Sequence, residues 1–229
     1  MDIASEKNLA QLVLSMRDQF HIENFVETGT YTGITTRWAS RHFHQVYTIE
    51  RSERIFQATR ESLMDLTNVE FFLGDSPVEL KRVLQHIKTP ALFWLDAHWS
   101  GGSTYGEGDE CPLAGELEKI NESQLNHFIL IDDAHLFLSP PPSPHRADQW
   151  PDLASVIRLL ETKDHPRQII VWENVLIAVP QEGKSFMVTY CQAMNTRLWT
   201  RELDRSKRIS QRILAKFSKW INEENSTLC

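Results

Sequence analysis

The stretch Glu27-Thr28-Gly29-Thr30-Tyr31-Thr32-Gly33 follows the apolar pair Phe25-Val26 and runs into a segment carrying Ile34 and Trp38. A strand therefore ends at Glu27 and a helix starts after Gly33. Glycine adopts positive φ at no steric cost and lets a ligand approach the backbone closely, which a tight strand-to-helix turn requires. The spacing also excludes a rival. A dinucleotide turn needs G-x-G-x-x-G to seat a pyrophosphate on the helix N-terminus, and Gly29-x-x-x-Gly33 lacks the middle glycine.

Outward from this turn, strands and helices alternate. Val46–Glu50, Val69–Leu73, Ala91–Leu95 and Phe128–Ile131 are short apolar runs that read as further buried strands. Between them lie helical patterns: one with Ile55, Ala58 and Leu66, another from Pro77 through Leu80, Val83, Leu84 and Ile87. Ser76-Pro77 followed by Glu79 reads as an N-cap, a proline at the first helical position and a capping-box glutamate. Gln168–Trp172 and Val175–Val179, separated by Glu173-Asn174, read as a terminal antiparallel hairpin. The pattern predicts an α/β, Rossmann-like doubly wound fold with a mostly parallel seven-stranded sheet. Helices are appended at both ends. Leu9, Leu12, Val13, Met16 and Phe20 mark the first, within residues 1–23, and Ile209, Ile213, Phe217, Trp220 and Ile221 mark the last. One domain over 1–229 is expected, with a core at 24–180 and a C-terminal helical extension at 181–229. The Pro-rich stretch Leu138–His145 cannot continue a regular element and is a candidate lid.

Composition narrows the function. The formal net charge is -7, which argues against nucleic-acid binding through bulk electrostatics and favours a small-molecule substrate. Three dispersed cysteines, Cys111, Cys191 and Cys229, form no paired ligand spacing and read as thiols in a reducing compartment. No apolar run is long enough for a membrane span or a signal peptide, so a cytoplasmic protein is expected. The terminal helices are candidates for a homo-oligomer interface.

In a parallel sheet of this type, ligands bind at the carboxyl ends of the strands. Glu27, Thr28, Gly29, Thr30 and Gly33 follow the first strand, Glu50 ends the second, and Asp75 and Ser76 follow the third. An acid at the end of the second strand can accept both hydroxyls of a ribose, and Asp75 or Ser76 can meet an adenine amino group. The fourth strand ends in Asp96-Ala97-His98 and the fifth in Asp132-Asp133-Ala134-His135. Three carboxylates on one rim suit a hard divalent cation such as magnesium, because without one their repulsion raises at least one pKa. His98 lies two residues beyond Asp96 and is the first candidate for a general base, with His135 the second.

E-T-G-T-Y-T-G, the acid at Glu50, Gly74-Asp75-Ser76 and the later acids together resemble class I S-adenosylmethionine-dependent methyltransferases, over about residues 25–179. The resemblance implies that Gly29 and its neighbours line the methionine moiety, that Glu50 holds the ribose, and that Asp75 and Ser76 flank the adenine. Tyr31 stands where the usual motif often has a further glycine. The acids are similar to those of cation-dependent O-methyltransferases, of the catechol type and of the macrocin and mycinamicin type that act on sugars. That similarity implies a magnesium site at Asp96, Asp132 and Asp133, and O-methylation of a hydroxyl on a small polyhydroxylated acceptor. The segment from His98 through Gly102 to Glu110–Leu113 resembles the sugar-modifying type. Two alternatives stay open: a metal-independent enzyme acting on nitrogen or carbon, and a noncatalytic S-adenosylmethionine-binding domain.

Overall fold

The computed structural model describes residues 3–99 and 109–226, with side chains through 213. Two compact units divide the chain, Met1–Lys184 and Ser185–Cys229. The first is a seven-stranded sheet flanked by helices. In chain order its elements are α1 (Lys7–Phe20), β1 (Asn24–Thr28), α2 (Ile34–Ser40), β2 (Gln45–Glu50), α3 (Glu53–Ser62), β3 (Val69–Leu73) and α4 (Ser76–His86). Then follow β4 (Ala91–Leu95), α5 (Leu113–Asn121), β5 (Phe128–Ile131), α6 (His135–Leu138), α7 (Leu153–Leu160), β6 (Arg167–Trp172) and β7 (Val175–Pro180). The strand order is β3-β2-β1-β4-β5-β7-β6. Pairing is parallel through β5, whereas β7 joins both β5 and β6 antiparallel. The fold class expected from the sequence is the one observed.

Buried strands explain the continuous apolar runs. All five residues of β4 are buried, as are all four of β5, because helices cover both faces of the sheet. Alternate side chains serve opposite faces. Val26, Ile49, Phe93, Leu95, Ile129 and Ile131 pack with Leu80 and Val83 of α4 and with Leu113, Leu117 and Ile120 of α5. The sequence reading passed over α5, although Leu113, Leu117 and Ile120 have helical spacing behind Pro112.

Two further expectations are revised. The N-cap of α4 is Asp75, with Ser76 inside the helix, and no side-chain cap bond forms. The Ser76 hydroxyl is therefore released from the capping role and lies buried. In the second unit, α8 (Lys184–Ser226) starts well before the expected Thr196. No proline or glycine interrupts the chain after Gly183, so nothing breaks the helix there. Along α8, Leu198, Trp199, Leu203, Ile209 and Ile213 are exposed, and the side chains of Phe217, Trp220 and Ile221 lie outside the described residues. Among the described residues no helix is long and apolar enough to cross a membrane.

The strand order reverses between β1 and β4, which opens a crevice at their carboxyl ends. Gly29 sits there with φ 86°, and a Cβ on it would lie 2.3 Å from the carbonyl oxygen of Asp96. Gly29→Ala should therefore cost more than the roughly 1–3 kcal/mol of a strained left-handed backbone, read as a lowered urea midpoint with unchanged slope. An unaltered midpoint would show that the close approach is not a constraint.

Candidate functional site

The turn after β1 is held from beneath by two acids. Glu27 is 2% exposed, and its Oε2 accepts from Thr36 Oγ1 at 2.5 Å and Thr48 Oγ1 at 2.7 Å. Thr30 Oγ1 lies 2.7 Å from Thr48 Oγ1. Glu50 Oε2 accepts from the Tyr31 backbone N–H at 3.0 Å, and Oε1 from Ser52 N–H at 2.8 Å. Gly29 and Thr30 donate their N–H groups to Ile49 O. The turn is thus tied to the end of β2 before any ligand arrives. Tyr31 takes φ 46°, the left-handed conformation that a glycine would take more easily, and the Thr59 hydroxyl bonds its carbonyl. Glu50 keeps acceptor capacity on both oxygens, since a carboxylate offers about four lone-pair sites. Glu27 is enclosed by hydroxyls and acts as an anchor of the turn. Asp75, beyond β3, lies 3.5 Å from Arg51.

Across the crevice, Asp96 follows β4 and Asp132 follows β5. Asp96 N–H donates to Thr28 O and Asp132 N–H to Leu95 O, which continues the sheet ladder by one residue. Burial, then repulsion from Asp132 and Asp133, pushes the Asp96 carboxyl well above its ordinary range. Burial also raises Asp132, and Asp133 adds to it. Asp133 goes the other way. Its hydrogen bond from His98 holds it down to about 2.

The difference lies in the backbone. Asp133 has φ 50°, which swings its side chain toward His98 and the β6–β7 turn. Its Oδ2 is 3.1 Å from His98 Nε2, while Oδ1 accepts from Asn174 Nδ2 at 3.0 Å. His98 Nδ1 faces Asp96 Oδ1 at 3.7 Å. Asn174 Oδ1 in turn takes the backbone N–H and Nδ1 of His135 at 3.0 and 2.9 Å. Sequence reasoning missed Asn174. Its signal was present: Glu173 and Asn174 both have positive φ (49° and 70°), the two-residue hairpin turn in which asparagine is favoured.

The three carboxylates come to one rim, yet among the described residues no group of three His, Cys, Asp or Glu side chains is arranged to hold a metal ion. Asp133 engages its two oxygens with His98 and Asn174. The Pro-rich loop is mostly exposed from Leu138 through Pro144, and the segment that follows it is tied down. Glu110 accepts from Arg146 N–H and from Trp150 Nε1 at 2.8 Å, and the Trp150 ring packs on Phe137 and His98. Both Phe137 and Trp150 are buried, so they serve as packing anchors. Ser100, Gly101, Gly102 and Tyr105 lie outside the described residues.

No family model matches the chain, and no curated protein matches it. Solved structures do. A Staphylococcus aureus protein described as a caffeoyl-CoA O-methyltransferase superposes with a TM-score of 0.52 at 15% identity, over 74% of this chain and 81% of that one. The methyltransferase PaMTH1 of Podospora anserina, solved with bound SAH, gives 0.51 at 17% identity, over 76% and 78%. The chain has the class I methyltransferase fold. Within that fold the Gly29 turn, Glu50, Asp75 and Asp96 stand at the carboxyl ends of β1, β2, β3 and β4.

Behind Asp75 sits one more acid, which the sequence did not single out. Glu116 of α5 is 1% exposed. Burial lifts its carboxyl to about 7, a rise eased by the neighbouring Ser76 and Thr28 hydroxyls and by His98. A carboxyl whose folded pKa is raised adds stability below its unfolded pKa, and that stability is lost as pH rises toward the folded value. Relative to Glu116→Gln, the native chain should therefore lose stability between about pH 4.5 and 7 and stay level above. Urea titrations of both proteins at pH 5 and pH 8 check this; a constant difference would place the Glu116 charge in water.

Proposed function

We propose that this chain is an S-adenosylmethionine-dependent methyltransferase that methylates a hydroxyl oxygen on a small polyhydroxylated acceptor such as a sugar. The observation that carries the reading is His98, which follows β4 with its side chain 6% exposed and Nε2 3.1 Å from Asp133. Asp133 is held ionised, so it favours the proton on Nε2 and leaves the lone pair on Nδ1. Asn174 fixes Asp133 from the other side. The donor assignment is supported by the shared fold and by the SAH bound in PaMTH1.

Methyl transfer needs alignment and a proton acceptor. The bound donor would supply a methyl group on its sulfonium, and His98 would take the proton that the acceptor hydroxyl gives up. The Gly29 turn would receive the methionine moiety, because its missing Cβ lets the donor approach the backbone. Glu50 would accept the ribose hydroxyls. Asp96 and Asp132 fit a hard divalent cation held by two carboxylates, with water and acceptor oxygens in the remaining positions. Bound there, such a cation would lower the pKa of the acceptor hydroxyl. The commitment of Asp133 to His98 and Asn174 favours a second reading, in which His98 works without metal.

Methyl transfer from labelled S-adenosylmethionine to a panel of sugars and other polyols tests the activity. With an acceptor in hand, His98→Gln should lower kcat by about 10²–10⁴-fold and leave SAH affinity within severalfold. Equal turnover by both proteins would remove His98 from the chemistry. Chelation followed by added magnesium separates the two readings: loss and recovery of turnover support the cation, and turnover indifferent to both supports His98 alone.

A further inference from the structure

Charge is divided unevenly along the chain. Of its 24 Lys and Arg, eight lie in Ser185–Cys229, against only four of its 31 Asp and Glu, so this unit is net positive in a chain of net charge -7. The basic residues are ordered on α8. At 3.6 residues per turn, Arg197, Arg201, Arg205, Arg208 and Arg212 fall within an arc of about 80° around the helix axis. Leu198, Trp199, Leu203, Ile209 and Ile213 fall within another of about 140°, centred roughly 130° away. Glu202, Ser206 and Ser210 share the apolar arc and keep its hydrophobicity moderate. Every residue from Asn195 to Ile213 is exposed, Trp199 to 66%. A helix with one basic and one apolar side, both in water, is built for a partner that satisfies the two at once.

We propose that α8 docks in the plane of an anionic lipid surface, with Trp199 and its apolar neighbours at the acyl boundary and the arginines drawn to the headgroup phosphates. An indole is suited to that boundary, because its ring is apolar and its N–H is polar. Arg205 and Lys207 flank the apolar arc on its two sides, where long stems can lie along the acyl boundary while the charged heads stay among the headgroups. Among the described residues no helix is long and apolar enough to cross a membrane, and an in-plane helix needs no such run. Two other occupants fit less well. In a coiled coil with a second copy, Ser206 and Ser210 would interrupt the seam, and the basic flanks would set like charges against each other. A nucleic acid would take the arginines and leave the apolar arc in water. The proposal is independent of the chemistry assigned to the crevice.

Flotation of the full chain with vesicles of phosphatidylcholine, alone or mixed with phosphatidylglycerol, tests the proposal. The native protein should bind the mixed vesicles at least about tenfold more tightly than the neutral ones. Added salt should weaken that binding. Variants at exposed positions separate charge from insertion. Arg201→Glu combined with Arg208→Glu should abolish the preference for phosphatidylglycerol, and Trp199→Ala should lower affinity for the mixed vesicles by about tenfold. Far-ultraviolet circular dichroism checks that each variant keeps its helix, with Leu203→Ala as the second apolar variant. Binding to mixed vesicles that is unchanged in both apolar variants would mean adsorption by charge alone and would overturn the in-plane placement. Native protein that binds neither vesicle would overturn the proposal outright. In that case a dimeric mass in sedimentation, or affinity for RNA, would assign the helix to a second copy or to a nucleic acid instead.

Discussion

The approach of Gly29 to the carbonyl oxygen of Asp96, which leaves no room for a Cβ, is the contact on which the crevice depends. It fixes how near the β1 turn comes to the end of β4, and so how near anything cradled by that turn comes to Asp96 and His98. Any side chain at position 29 would push the two strand ends apart. The crevice exists at all because the strand order reverses between β1 and β4, leaving their following segments to diverge to opposite faces.

A turn held this tightly needs support, and buried acids supply it. Glu27 takes hydroxyls from α2 and β2, and Glu50 takes the N–H groups of Tyr31 and Ser52. Each acid links elements distant in sequence, so the turn's shape is set by tertiary structure. Glu50 can serve both the turn and a ribose because its oxygens have lone pairs to spare. Glu27, enclosed on all sides, serves the turn.

On the far wall, one backbone angle separates two roles among adjacent acids. Asp132 continues the direction of β5 into the interior, where burial and its neighbours raise its pKa. Asp133, one residue on, flips to positive φ and becomes the ionised partner of His98. The hairpin turn at Glu173-Asn174 completes this by supplying Asn174 to the other oxygen of Asp133. A chain of contacts thus runs from His135 through Asn174 and Asp133 to His98.

The order of strands, the glycine turn and the rim position of every acid were legible in the sequence, because period, turn chemistry and strand ends are local. Gly29, Glu50, Asp75, Asp96 and Asp132 each stand at the carboxyl end of a strand in the alternating pattern. What each side chain faces was not legible. The pairing of Asp133 with His98 and Asn174, the enclosure of Glu27 and the cluster at Glu116 all join residues far apart in the chain. The release of Ser76 from capping likewise follows from where α4 begins. By itself the sequence determined which residues stand at the strand ends, since side-chain alternation and strand length settle that. Only the tertiary structure decided which acids carry charge there, because burial and partners, not residue type, set a carboxyl's pKa.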